Sequence, residues 1–488
     1  MSTQRQPGGR WLVPLLAVAL WAGPSVAARA AGPKVIELGT RRELFVDHFL
    51  IDHLAGVSLA LERPRDEGVA LRFDRPWEGA FCGYATVLHD GPGFRVYYRG
   101  LPVAGKDGSA AEVTCVAESK DGVTWTKPDL GLFEVGGSRS NNVILAGLPP
   151  FSHNFCPMLD TRPGVPAAER YKALAGTGAS GLAAFVSADG LRWRKLRDAP
   201  VITKGAFDSQ NVPFWSASEQ CYLCYFRVFE DGFRRIARTT SKDFVHWTEP
   251  VLMGYGDRPV EHLYTNQTSP YFRAPHLYVG IAARFLPGRQ VLTEEQARAI
   301  HVDPGYFKDC SDGVLITTRG GDRYDRTFME GFLTPGIGPE NWVSRTNYPA
   351  RNVVQTGPHA MSFYANENYG QPTSHLRRYS LRLDGFAAAV APYADGELRT
   401  KPLTFAGKEL ALNFATSAAG GIRVEIQDAA GTPLPGFTLA DSVETIGNEI
   451  ERAVRWKWGA DVSRLAGKPV RLRFVMHDAR LYALQFRP

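Results

Sequence analysis

The chain has little of what many function classes require. Six cysteines in 488 residues cannot frame a disulfide-held fold. Cys221-x-x-Cys224 has the spacing of a metal or redox pair, but its setting, CYLCYF, is that of a β-strand, where i and i+3 face opposite sides. Buried structural thiols are therefore expected. The 11 histidines include no H-x-H and no H-E-x-x-H, so there is no zinc pattern and no metal ligand is assigned. Lysine and arginine form no block, and a formal charge of +6 leaves no nucleic-acid footprint. Beyond the first thirty residues no apolar run is long enough to span a bilayer. Helical periodicity is nearly confined to Thr293–Ile300 and Ala167–Tyr171.

The N-terminus has a plan of its own. Arg5 and Arg10 precede an apolar run from Trp11 to Ala22, and small residues follow through Ala28 and Ala31. That order marks a secretory signal peptide over residues 1–31, and a secreted or periplasmic protein. Removing Arg5, Arg10 and Arg29 with it lowers the formal charge from +6 to +3. The other reading of this segment is an interfacial helix.

What the chain does have is strands and punctuation. Short runs of Val, Tyr, Phe and Leu alternate with clusters of Gly, Pro and Asp, and 49 glycines and 33 prolines supply the turns. One motif repeats: Ser119-x-Asp121-Gly122-x-x-Trp125, Ser187-x-Asp189-Gly190-x-x-Trp193 and Ser241-x-Asp243-Phe244-x-x-Trp247. Degraded copies lie at Thr318–Tyr324 and Leu383–Phe386. Ser and Asp accept backbone N–H bonds and Gly tolerates positive φ, so each copy is a turn whose Trp wedges between neighbouring sheets. An apolar strand precedes each copy, and a strand dense in Tyr and Phe precedes that. Five such units of four strands are the blades of a propeller. The alternative is tandem hairpins in an irregular sandwich. The fold class is all-β: a lead-in over 32–73, a five-bladed β-propeller over 74–396, and a C-terminal β-sandwich over 397–488, where strands alternate with tight turns.

SKDFVHWTEP at 241–250 resembles the turn of the five-bladed propeller glycosidases, the invertase/levanase-like family 32 and the arabinanase/xylosidase-like family 43. The chain is also similar to secreted, glycosidase-like proteins of environmental bacteria. The resemblance implies a sugar-cleaving enzyme, a C-terminal sandwich as in the invertase group, and a carbohydrate as the partner. It implies no cofactor, with a structural Ca²⁺ in the channel as an option. The family's catalytic motifs are missing. Phe81–Asp90 carries no N-D-P-N-G-like carboxylate, Met158-Leu159-Asp160 only loosely replaces R-D-P, and there is no E-C pair.

Candidate residues therefore come from position. A propeller converges the start of each blade's innermost strand on one end of the channel. Those starts are Trp77–Gly79, His153–Phe155, Phe207–Asn211, Glu261–Asn266 and Arg345–Tyr348. Glycoside cleavage needs two carboxyl groups. Asp208 and Glu261 are the expected pair, with Glu261 the acid beside Leu263 and Tyr264, and Glu78 is the third candidate. His153, Asn154, Gln210, Asn211, His262, Tyr264, Asn266, Arg345 and Asn347 are expected to bind substrate. Trp77, Tyr84, Tyr264, Trp342 and Tyr348 offer stacking faces. A non-catalytic glycan-binding propeller and a surface scaffold remain the alternatives, and oligomeric state is not fixed.

Overall fold

The computed structural model describes residues 35–488; the expected signal peptide lies outside them. No helix of the described residues is long and apolar enough to cross a membrane.

Five sheets form the propeller. Blade 1 runs Gly83–His89, Phe94–Gly100, Val113–Ser119 and Val143–Leu145 from the inside out. Blade 2 runs Cys156–Leu159, Tyr171–Thr177, Gly181–Ser187 and Arg194–Lys195. Blade 3 runs Val212–Ser216, Cys221–Glu230, Phe233–Ser241 and Val251–Leu252. In blades 4 and 5 the inner strand is split: Leu263–Thr265 with Ser269–Tyr271, and Tyr348–Pro349 with Val354–Gln355. The breaks fall where Gln267 and Arg351 turn into the channel. The ring closes in two ways. Arg351 and Ala85–Val87 exchange main-chain bonds between blades 5 and 1. Arg65–Arg72, inside the expected lead-in, pairs with His375–Arg382 as the outermost strand of blade 5. Its composition, RDEGVALR, suits an exposed edge, where charge discourages further pairing.

The repeated turns are built alike. The hydroxyls of Ser119, Ser187 and Ser241 each bond the Asp two residues on, and accept the N–H of Gly122, Gly190 and Phe244 at 2.9 Å. One oxygen of each Asp takes two further backbone N–H bonds at 2.8–2.9 Å. Gly122 and Gly190 have φ of +71° and +75°; Phe244 holds +69° in their place and is buried against Tyr222 and Trp247. The tryptophans wedge as the pattern requires: Trp125 meets Tyr364 of blade 5 edge-on at 5.6 Å, and Trp193 packs on the clusters of blades 1 and 2. All six cysteines are free and buried. Cys221 and Cys224 join different core clusters on the two faces of their strand.

The remaining sheet has ten strands. Its spine is the long pair Glu409–Asp428 and Val470–Arg487. The register shift between Thr416 and Gly421 lets that pair fold over one core of Phe414, Val424, Trp456, Phe474 and Leu484. The other edge of Val470–Arg487 takes Arg42–Leu44, Ala387–Ala391, Gly396–Thr400 and Leu403–Phe405 in succession. Ile51–Ala55 and Ser58–Leu61 extend it. The segment before residue 62 thus belongs to the sandwich, and the one after it to the propeller.

Candidate functional site: the propeller mouth

The channel is closed by hydrogen bonds. The Arg351 guanidinium donates to the carbonyls of Pro157 and Pro213 and to Ser269 Oγ, joining blades 2, 3 and 4 to blade 5. Gln210 donates to Thr86 Oγ1 at 2.7 Å and accepts from Gln267 Nε2 at 2.8 Å, and Gln267 also reaches the Pro349 carbonyl. A buried cation is stable here because neutral acceptors receive hydrogen bonds from its N–H groups. Ca²⁺ requires oxygen ligands, mostly carboxylate. A channel filled by Thr86, Gln210, Gln267 and an arginine does not fit it. No cluster of three or more His, Cys, Asp or Glu able to hold a metal occurs among the described residues.

Above this floor the mouth is built of tyrosine and arginine. Tyr84, at the start of the inner strand of blade 1, donates to the Asp208 carbonyl at 3.1 Å and meets the His153 ring edge-on. Tyr264 packs on Tyr348 at 5.2 Å. Tyr306 comes from the segment between residues 287 and 309, which bridges to blades 5 and 1 through Asp303 N–H to the Gly370 carbonyl and packs on Phe81 and Tyr369. Its one helix, Glu294–Ala299, is held by the Thr293/Gln296 capping box. Burial pushes the Tyr84 and Tyr348 phenols well above their ordinary value, so both keep their protons.

Four guanidinia stand among these rings. Arg99 lies 4.9 Å over Tyr84 and donates to the Phe81 carbonyl and Tyr369 Oη. Arg227 lies 4.4 Å over Tyr264, Arg234 5.5 Å over it and Arg345 5.6 Å. Asp208, about a third exposed, pairs with Arg227. His153 is buried, with Nδ1 2.8 Å from Glu112 and Nε2 3.3 Å from the Asp208 carbonyl and 3.8 Å from the half-exposed Asp107. Tyr84, Phe207, Arg345 and Asn347 at this level, and Gln267 in the floor below, have φ between +52° and +58°. Held left-handed conformations in non-glycine residues mark sites that the surrounding fold over-determines.

The expected residues separate into three groups. Asp208, His153, Tyr264 and Arg345, with Tyr84 and Tyr348, come together at the mouth. A second group is consumed by the fold. Asn154 bonds both main-chain groups of Gly176 and the Ser209 carbonyl; Asn266 reaches the Tyr225 carbonyl; Asn347 reaches those of Ser311 and Asn341. Asn211 bonds the Ser209 carbonyl, and Gln210 lies in the channel. Asn154, Asn266 and Asn347 each reach a carbonyl of a neighbouring blade or of the segment leading into it, and Asn211 bonds within its own turn, so that buried main-chain acceptors there are satisfied.

The third group stands apart. Glu78 is fully buried in blade 1, bonded by Tyr98 Oη, Lys127 Nζ and the Arg75 N–H. Glu261 is gripped by Arg284 at 2.9 Å and Arg326 at 2.6 Å. Arg284 leaves its strand opposite Phe285, the ring on which Tyr264 packs. Glu261 therefore faces away from Tyr264 rather than sharing its environment. His262 accepts the Arg234 N–H and packs on Phe233; burial lowers its pKa. Trp77 bonds Asn142 inside blade 1, and Trp342 packs under the bridging segment.

Position at strand starts could not find Arg99, Arg227, Asp107, Glu112, Tyr306 or Tyr369. The arginines sit near the ends of second strands, in YYRG and YFRV, and that repeated arginine was their signal.

No family model matches the chain, and no curated protein matches it in sequence. Among solved structures it is similar to an N-acetylgalactosamine deacetylase from F. plautii, with 13% identity and a TM-score of 0.42 over 68% of this chain and 97% of that one. It is similar to a β-1,2-mannobiose phosphorylase from Listeria innocua, with 10% identity and a TM-score of 0.43 over the same shares. An exo-β-1,3-galactanase from Phanerochaete chrysosporium aligns with 11% identity and a TM-score of 0.38 over 86% of this chain and 100% of that one. Residue roles do not transfer at these identities.

Proposed function

We propose that this protein is a carbohydrate-active propeller that binds a saccharide at its mouth and cleaves it there. The observation that carries this reading is the convergence of Tyr84, Tyr264, Tyr306, Tyr348 and Tyr369 on one end of the channel, beside Asp208. Sugar rings present C–H faces that pack on aromatic faces, and hydroxyls that need convergent donors. Arginine and the Asn366 amide, which has no partner on either side-chain atom, supply those donors.

Cleavage requires a proton donor and a second carboxylate. Asp208 is one, because it faces the mouth and is paired there with Arg227. We assign Asp107 as its partner in place of Glu261 or Glu78, since Asp107 approaches the same Nε2 of His153 as the Asp208 main-chain carbonyl and is open to solvent. Glu112 holds the opposite nitrogen of His153, Nδ1, at 2.8 Å and so fixes which edge of the ring faces them.

The second reading, glycan binding without turnover, is favoured by one observation: Asp208 is already neutralised by Arg227. Purified protein should be screened against a polysaccharide panel for both binding and released sugar. In the cleaving enzyme, Asp208→Asn and Asp107→Asn lose turnover and keep binding. Binding with no release by the wild type selects the second reading. Absence of both removes the carbohydrate reading. We also propose export, on the basic–apolar–small order of residues 1–31. Mass measurement of the exported protein should find an N-terminus between Ala28 and Pro33.

A further inference from the structure

Charge at the mouth does not balance. Arg99 has Glu112 at 3.8 Å, with His153 between them, and Arg227 has Asp208. Asp107 is half exposed and lies 3.8 Å from His153. Arg345 and Arg234 have no carboxylate within salt-bridge distance among the described residues; what surrounds them is aromatic, with Tyr264 and Tyr306 beside Arg345 and Tyr264, Phe229 and Phe285 beside Arg234. Four guanidinia thus face three carboxylates, and the two unpaired ones flank the same ring.

The arginines of the sandwich junction are held differently. At the junction with the sandwich, Arg42, Arg273 and Arg319 each bind two carboxylates. The mouth arginines are also short of hydrogen bonds. Arg227 is 2% exposed, yet its Nε and Nη1 have no partner, and neither does Arg99 Nε. A buried donor without an acceptor is costly unless something arrives to accept from it. Guanidinium is a planar fork of donors that fits carboxylate and sulfate oxygens in pairs and does not lose its proton.

We propose that the saccharide taken at the mouth is anionic, with a carboxylate or sulfate received by Arg345 and Arg234 over Tyr264. This rests on the carbohydrate reading above and narrows it to acidic glycans. Asp107 and Glu112 lie on the His153 side of the mouth and the Asp208 carboxylate is taken by Arg227, which leaves Arg345 and Arg234 uncompensated beside Tyr264.

The test compares matched pairs by calorimetry: oligogalacturonate against its carboxyl-reduced neutral form, and a sulfated galactan against its desulfated form. The expected result is that one anionic member binds at least about tenfold more tightly than its neutral match, with the advantage shrinking as salt rises. The pair that shows it tells carboxylate from sulfate. Arg345→Gln should reduce the preference to about twofold, and Arg345→Lys should restore part of it. Arg234→Gln is the second variant should Arg345→Gln fail to fold. Equal binding of both members of each pair, or a preference that survives in Arg345→Gln and Arg234→Gln, overturns the inference and leaves the carbohydrate reading standing. Binding to no saccharide of any charge takes down the carbohydrate reading itself.

Discussion

The sandwich junction and the propeller mouth both gather arginines, and they differ in what those arginines lack. At the junction Asp384, with no exposure, accepts from Arg42, Arg273, Tyr271 and Asn413, and Glu451 binds the outer ends of both arginines. Donors and acceptors cancel there, and the network closes on itself. At the mouth the donors exceed the acceptors, and aromatic faces fill the remainder. A closed network fixes two domains together; an open one is completed by a ligand. Burial alone does not separate them, since Arg42 and Arg227 are equally hidden at 6% and 2% exposure.

The strongest test of this contrast is Asp384→Asn. Removing one member of a buried ion-pair network costs about 3–5 kcal/mol, because the partner charges remain buried. The variant should show a markedly lower denaturant midpoint by tryptophan fluorescence, while saccharide binding by the folded fraction stays at the wild-type level. A change in binding with no loss of stability would reverse the roles assigned to the two regions.

Trp193→Ala comes next. Its ring meets Phe155 edge-on at 5.0 Å and its indole N–H bonds the Gly190 carbonyl. Full truncation of a buried Trp costs about 3–5 kcal/mol; this one is half-buried, so about 2 kcal/mol is expected in equilibrium unfolding. No measurable loss would mean that the ring does not tie blade 2 to blade 1.

Much of the fold was legible because the repeat carries its own physics. Ser-x-Asp-Gly specifies a turn, and its Trp specifies a neighbour, so three copies imply a ring. Phe244, where Gly was expected, shows the limit of a motif: packing on Tyr222 and Trp247 compensates a strained backbone. Arg65–Arg72 was not legible as a blade strand, because an edge strand lacks the apolar alternation of a buried one. The mouth was half legible. Strand starts located Asp208, His153, Tyr264 and Arg345. The same rule misassigned its amides, because Asn154, Asn266 and Asn347 satisfy backbone groups that only the closed ring creates.

Glu261→Gln sharpens the comparison from the propeller side. Its carboxylate is bound by Arg284 and Arg326 at the opposite face of blade 4 from Tyr264. It behaves as a junction-type acid within the propeller. Saccharide affinity and any turnover should stay within about twofold of wild type, with a stability loss of about 1 kcal/mol for a partly screened pair. A loss of turnover with affinity intact would return Glu261 to the catalytic pair with Asp208.

The smallest effect is one of pH, and it belongs to the junction. Burial raises the Glu43 pKa, but the His276 and Arg319 bonds outweigh it and hold this carboxyl below the ordinary range. Asp47 shares Arg319 and faces the same cluster. A carboxyl lowered in the folded state stabilises it above the unfolded pKa of about 4.3, and that stability fades as pH falls through the folded value. The unfolding midpoint of the wild type should therefore drop below about pH 4.3. Glu43→Gln has no proton to take up at this position: it should begin less stable at pH 7 and lose less on the acid side, so that the two curves converge. Parallel curves would show that Glu43 does not couple protonation to the junction, and that the charge there is held by Asp47, Asp384 and Glu451.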